Sequence, residues 1–397
     1  MRASSQHYRV GAFFLLSFLT GSLVIGFPSQ VRAQLRGVDT RFELGARRLA
    51  VSPLEMRALL ELGSLVHGGN RNRQDRALAT ARSAASSADA RFALATYELE
   101  IGKQRGNDQM RVRALNILIA SDLLAKDRIN SHLTLLGQLA FQSGDLAGAR
   151  GAWERLSRQS PDRHDALAAL AQVDLIEAKW RPAMNRLNRA IDLAEESGTR
   201  APESWYQQRL SAAQQGTLVA DGLDAAKALV TVFPTQSNWR AALLVTRDLA
   251  ASSGPAEINL LRLMRYAGVL QQSAEFLRLA QLLRAHGEAV EALDTLHGGI
   301  AAGLIDVQRS PAKEIVAEVR RALIKPSASV TTAPAESKAA EGTRLGLESL
   351  KAGRRDEAVR LLRQAASAPV QRPYSDIAGL WLIFLLQHDN GNVQTKG

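Results

Sequence analysis

Residues 133–190 read LTLLGQLAFQSGDLAGARGAWERLSRQSPDRHDALAALAQVDLIEAKWRPAMNRLNRA. Two patterns lie head to tail in this stretch. The first runs Leu133, Leu136-Gly137, Ala140, Gly144, Ala149, Trp153, Leu156 and Pro161. The second runs Leu167, Leu170-Ala171, Asp174, Ala178, Ala183, Leu187 and Ala190. Leu133 and Leu167, Ala149 and Ala183, and Trp153 and Leu187 are each about 34 residues apart, a period that predicts a fold made by stacking helix pairs.

The physics of one unit supports that reading. Leu133, Leu136, Leu139 and Ala140 recur three and four apart, which makes one apolar stripe on a helix. Gly144-Asp145 breaks that helix. A second helix starts at Leu146 and turns Ala149, Trp153 and Leu156 inward. Gly137 and Ala149 are small because the two helices must cross closely there. Pro161 cannot continue a helix and opens the next unit.

This order of small and large residues resembles the tetratricopeptide repeat (TPR) family. The resemblance implies an all-α fold, a right-handed superhelical array of antiparallel helix pairs. Residues 273–306 repeat the pattern with Phe276, Ala280, Gly287, Ala292 and Leu296. Residues 339–372 repeat it with Gly346, Gly353, Ala358, Leu362 and Ala365. Residues 203–234 keep Trp205, Ala225-Ala226, Leu229 and Pro234 but read as having a lengthened turn at QQGTLVADG. Helix pairs are also predicted at 89–104 with 107–124, and at 53–66 with 73–86. The structural repeat positions are therefore Gly137, Ala149, Trp153, Pro161, Ala171, Ala183, Ala292 and Ala358.

The flanks divide the chain. Arg2 and Arg9 precede an apolar run at 10–27, then Pro28-Ser29 and Val31-Arg32-Ala33, which reads as a signal peptide over 1–33 cut before Gln34. The alternative is an uncleaved anchor, because the run approaches the roughly 18 residues that span a bilayer. Either reading places the body outside the cytoplasm, in the periplasm or secreted, or held at the inner membrane. Residues 34–45 read as a lead-in and 46–324 as the helical array. Residues 325–341, KPSASVTTAPAESKAAE, lack large apolar groups and read as a flexible linker. Residues 342–388 hold a further helix pair and an apolar helix at Tyr374–Gln387, and 389–397 a disordered tail. That last helix, with IAGLWLIFLL, is too short to span a bilayer. It reads as a buried cap of the array, as a docking helix for a partner or a second copy, or as a membrane contact.

Composition removes several function classes. The 397 residues contain no cysteine, which excludes disulfides, thiol catalysis, thiolate zinc, c-type haem attachment and a lipoprotein anchor. The net charge is +11. An excess of that kind suits an acidic partner, yet the arginines are scattered and many sit three or four residues from an acid. No basic run is interleaved with aromatics, so nucleic acid is not expected.

No catalytic, cofactor or metal motif is present: no His-Glu-x-x-His, no Gly-x-Ser-x-Gly, no phosphate loop and no Gly-x-Gly-x-x-Gly. His164 reads as a solvated or capping residue. His286 and His297 flank a turn without a third ligand. The pairs Glu195-Glu196 and Glu98, Glu100 point to different helix faces.

In the tetratricopeptide family the first helix of each pair lines a concave groove that takes an extended peptide or a partner helix. The resemblance places Ser131, Thr134, Gln138 and Gln142 on that face, then Asp165, Ala168 and Gln172, and later Gln281 and Arg284. The lining is amide-rich. The lysine and asparagine clamp of the chaperone-docking branch is not matched at Asp165 and Ala168. The expected function is an exported scaffold for protein–protein interaction in the bacterial cell envelope, without catalysis or cofactor. The alternative is an accessory factor that binds acidic polysaccharide during export. A homo-oligomer through Tyr374–Gln387 and a cell-wall enzyme with converging carboxylates complete the expectations.

Overall fold

The computed structural model describes residues 41–68, 70–250, 254–324, 337–368 and 371–388. The signal peptide or anchor, most of the lead-in and linker, and the tail lie outside the described residues. The chain forms two compact units, one up to Leu123 and one from Leu124.

The described residues of the first unit begin with a β-hairpin, β1 (Arg41–Leu44) and β2 (Arg47–Ala50), paired antiparallel with Leu44 opposite Arg47. This corrects the lead-in at 41–45 and the helical start at 46. Gly45 takes the turn at φ 60°, and Phe42, Leu44 and Leu49 are buried. Four helices follow: α1 (Pro53–Leu65), α2 (Arg71–Ala84), α3 (Ala88–Arg105) and α4 (Asp108–Ala120). Glu55 is the hub of this unit. It completes a capping box with Ser52 and accepts from the Ser86 and Ser87 N–H groups at 2.9 and 2.7 Å and from the Ser86 hydroxyl at 3.0 Å. The start of α1 is thereby bound to the α2–α3 turn. Burial alone would raise the Glu55 carboxyl, but these donors hold it down to about 2.

The second unit contains α5 (Lys126–Gln142), α6 (Leu146–Gln159), α7 (His164–Ile176), α8 (Trp180–Glu196), α9 (Glu203–Gln215), α10 (Val219–Val232), α11 (Gln236–Leu249), α12 (Gly254–Tyr266), α13 (Ser273–Ala285), α14 (Ala289–Ala301), α15 (Ala312–Ile324), α16 (Lys338–Lys351), α17 (Arg355–Ala366) and α18 (Tyr374–Gln387). Neighbouring helices pack as pairs, so the fold is an all-α array of helix pairs of the tetratricopeptide type. The turn of α9–α10 is short, because VADG forms the first turn of α10 and not part of a loop. Helix α16 starts at Lys338 on the Ser337 cap, so the last residues of the expected linker, 338–341, are helical.

The repeat positions do what their sizes require. Ala149, Ala171, Ala183, Ala292 and Ala358 are fully buried. Gly137 is buried, and a Cβ there would fall inside the Trp153 indole. Pro161 is exposed between α6 and α7. Gly144 ends α5 in the left-handed region at φ 81°, and one period later Ala178 holds the same conformation at φ 56°. Each turn closes with the same long bond: Asp145 N–H to Ala140 C=O at 2.9 Å, and Lys179 N–H to Asp174 C=O at 2.8 Å. Asp174 is fully buried where the first repeat has Ala140. Arg150 at 2.8 Å and Arg186 pair with its carboxylate, so α6, α7 and α8 share one ion-pair cluster.

The core is continuous from α7 to α18. Helix α18 packs against α17, α16, α10 and α12. Trp381 has no exposed surface; its Nε1–H donates to the Asn259 carbonyl at 3.0 Å, and its ring meets Tyr266 edge-on at 5.2 Å. Lys227 binds Asp376 at 2.8 Å, and Gln387 donates to the Val230 carbonyl at 2.7 Å. The apolar side of Tyr374–Gln387 is thus spent within the chain, as a buried cap.

Candidate functional site

A cavity of about 540 Å³ opens over three successive first helices, α9, α11 and α13. Trp205, Leu210 and Ala213 bury one side of α9 in the core. Gln207, Ser211 and Gln214 fall on its other side, three and four apart, and face the cavity. Helix α11 buries Trp239, Ala242, Leu243 and Thr246, which leaves Arg240, Ala241, Leu244, Arg247 and Asp248 on the cavity side. Gln272 and Glu275 at the start of α13 close one end.

The polar groups are layered. Glu275 is buried and accepts from Gln271 N–H at 2.9 Å, Gln272 N–H at 3.2 Å and Arg240 at 3.1 Å. Burial would raise its carboxyl, and the Arg240 guanidinium and the two backbone donors bring it below the ordinary glutamate range. Arg240 also donates to the Val269 carbonyl. This deep layer is satisfied by hydrogen bonds within the chain. Above it, Arg247 lies 3.9 Å from Glu275 and 3.7 Å from Asp248. Those distances are ion-pair contacts and not hydrogen bonds. Gln214 donates to Asp248 at 3.0 Å, and Gln207 to Asn238 at 3.1 Å. Those bonds use amide N–H groups and leave each glutamine its side-chain oxygen as an acceptor, while Arg247 brings guanidinium donors to the lining. Leu210, Leu229 and Leu244 supply an apolar floor. Donors and acceptors over an apolar floor can hold a backbone in extended form, or the polar edge of a helix.

The expected groove residues lie on α5 and α7, and on later turns of α13. Ser131 and Thr134 hydroxyls donate to their own helix, to Asp127 C=O at 2.9 Å and Asn130 C=O at 3.0 Å. Gln138 and Gln172 are half-buried and Gln142 exposed. Asp165 is held by Arg163 at 2.5 Å, and Ala168 is buried. Gln281 is half-buried, and Arg284 pairs with Glu318 at 3.2 Å. None of these residues lines the cavity. The sequence held the signal that finds it. Gln138 and Gln172 are one period apart, and continuing the column by about 34 residues reaches Gln207, Arg240-Ala241 and Glu275.

The histidines stay apart from this site. His164 packs 5.7 Å from Trp205, and the Nδ1 of His286 meets the Leu282 carbonyl at 2.9 Å. Among the described residues, no three His, Cys, Asp or Glu side chains gather as a metal site, and no helix is long and apolar enough to cross a membrane.

No protein-family model and no curated protein matches the chain. Solved structures are similar to it in fold at low identity. A crystal structure of a tetratricopeptide repeat protein from Parabacteroides merdae aligns at 11% identity, over 84% of this chain and 100% of that one, with a TM-score of 0.33. The structure of Naa15/Naa10 bound to HypK-THB aligns at 14% identity over 85% of this chain and 56% of its own, with a TM-score of 0.30. The P58(IPK) TPR domain aligns at 11% identity over 85% and 99%, with a TM-score of 0.26. The fold assignment rests on the helix pairs described above.

Proposed function

We propose that the chain is a non-catalytic scaffold that binds a protein partner along α9, α11 and α13, in the bacterial cell envelope. The observation that carries this reading is the layered cavity. Its deep Arg240–Glu275 pair is satisfied within the chain, while the Gln207, Gln214 and Arg247 layer offers hydrogen bonds over an apolar floor. That arrangement suits recognition of an extended or helical segment, whose backbone groups pair with amides and whose side chains rest on leucines. The envelope location rests on the reading of residues 1–33 as a signal peptide or anchor.

The test uses the full chain and two triple variants in a crosslinking capture from envelope fractions. One carries Gln207→Ala, Gln214→Ala and Arg247→Ala. The other carries Gln138→Ala, Gln142→Ala and Gln172→Ala. A protein retained by the wild type and the second variant, and lost by the first, supports binding at the cavity. Loss only in the second variant moves the contact to α5 and α7. Equal recovery in all three contradicts a first-helix groove, and recovery of acidic polysaccharide in place of protein favours the export alternative.

A further inference from the structure

The first unit carries its own cavity, of about 350 Å³, where α1 turns into α2 and α3 ends. His67, Gly68, Arg71, Gln74, Gln104 and Arg105 line it. The lining thus holds two guanidiniums, an imidazole and two amides, and no carboxylate.

Arg105 is fixed in place. Its Nε–H donates to Gln74 Oε1 at 2.9 Å and its Nη1–H to Asp75 at 2.5 Å, and Nη2–H donates to Gln74 as well. Gln74 is buried and is itself anchored by donating to the Leu65 carbonyl at 2.8 Å. A guanidinium carries five N–H donors, and these bonds use three of them. The Arg105 side chain is only 15% exposed, so its remaining donors have little access to bulk water. Arg71 makes no hydrogen bond or ion pair among the described residues. Asp75 offsets Arg105, and among the described residues no carboxylate pairs with Arg71. Two guanidiniums at one cavity repel each other until an oxyanion accepts from both.

The amides extend the description of the ligand. The Gln104 Nε2–H donates to Glu100 at 3.1 Å, which leaves its carbonyl oxygen as an acceptor for a hydroxyl. The volume exceeds that of a bare oxyanion and admits a carrier of monosaccharide size.

We propose that the cavity between the α1–α2 turn and the end of α3 binds a sugar-borne oxyanion, with Arg71 and Arg105 on the anion and Gln104 on a sugar hydroxyl. The site is separate from the partner-binding reading above and stands or falls without it.

Calorimetric titration of the full chain at low salt tests the proposal with glucose 6-phosphate, inorganic phosphate and glucose as probes. The expected result is one site for glucose 6-phosphate, weakened about tenfold by Arg71→Ala. Arg71 is exposed and makes no bond among the described residues, so that variant leaves folding intact. Inorganic phosphate binds at the same site more weakly, and glucose does not bind. Inorganic phosphate binding as tightly as the sugar phosphate would overturn the assignment of a sugar-borne ligand. Arg76→Ala, on α2 but outside the cavity, retains wild-type affinity. An equal loss from Arg76→Ala would show general attraction to a basic chain and overturn the proposal, as would the absence of saturable binding to either anion.

Discussion

The pair Gly137 and Trp153 allows the repeat to be tested at a single contact. An alanine Cβ at Gly137 would overlap the indole, and Trp153 is 4% exposed with little room to turn. Over-packing of this kind costs up to about 3 kcal/mol, while replacing a mid-helix glycine returns about 1 kcal/mol. Gly137→Ala should therefore destabilise the chain by about 2 kcal/mol. Trp153→Leu removes roughly 60 Å³ of side chain, and at about 24 cal/mol per Å³ the unfilled space costs about 1.5 kcal/mol. One period later the same two positions are Ala171 and Leu187, both fully buried. The double variant writes the second repeat's pair into the first, and the new methyl occupies space the indole leaves. It should cost about 1 kcal/mol, so the two changes couple favourably by about 2 kcal/mol or more. Urea unfolding of the full chain, followed by far-UV circular dichroism, measures all four corners of the cycle. Additivity within about 0.5 kcal/mol would refute the equivalence of the two helix crossings.

Three further outcomes follow from other sites. Ala178→Gly relieves a left-handed alanine at φ 56° and should stabilise by about 1 kcal/mol, read as a higher thermal midpoint. The Glu55 carboxyl is lowered to about 2, so its stabilisation is complete above the unfolded value near 4.5 and is lost as pH falls from there toward 2. Glu55→Gln should flatten that part of the stability–pH curve, and an unchanged curve would remove Glu55 from its role as hub. Trp381→Ala should cost about 3–5 kcal/mol and raise hydrogen exchange in α18 and α12 together; exchange confined to α18 would contradict their shared core.

The legible parts of the fold were those held by local pattern. Residues 133–190 show both helices of two pairs because each helix has one buried stripe and each turn has a glycine or its equivalent. Helix α12 carries no such stripe. Residues 258, 260, 261, 263 and 264 are all apolar and all buried, since α18 covers a second side of the helix. That covering depends on contacts such as Trp381 to Asn259, more than a hundred residues apart in the chain, which no window of sequence contains. The hairpin at Arg41–Ala50 was missed for another reason. Its apolar residues are Phe42, Leu44 and Leu49, too few and too little β-branched to stand out from an irregular lead-in. Most cavity residues were within reach of the period but lie on α9, whose turn read as lengthened, and on α11, which had no repeat assigned to it; Glu275 lies on α13, where the later turns with Gln281 and Arg284 were read as the lining.

Site-specific photo-crosslinking in the native envelope tests the scaffold reading most directly. The crosslinking side chain is placed at Gln214 or Ala241, which line the cavity, and at Arg189 or Arg360, which are exposed on the second helices α8 and α17. The account predicts one discrete protein adduct from Gln214 and Ala241 and none from Arg189 and Arg360. Adducts from the second-helix positions alone, or no protein adduct from any position, would contradict it.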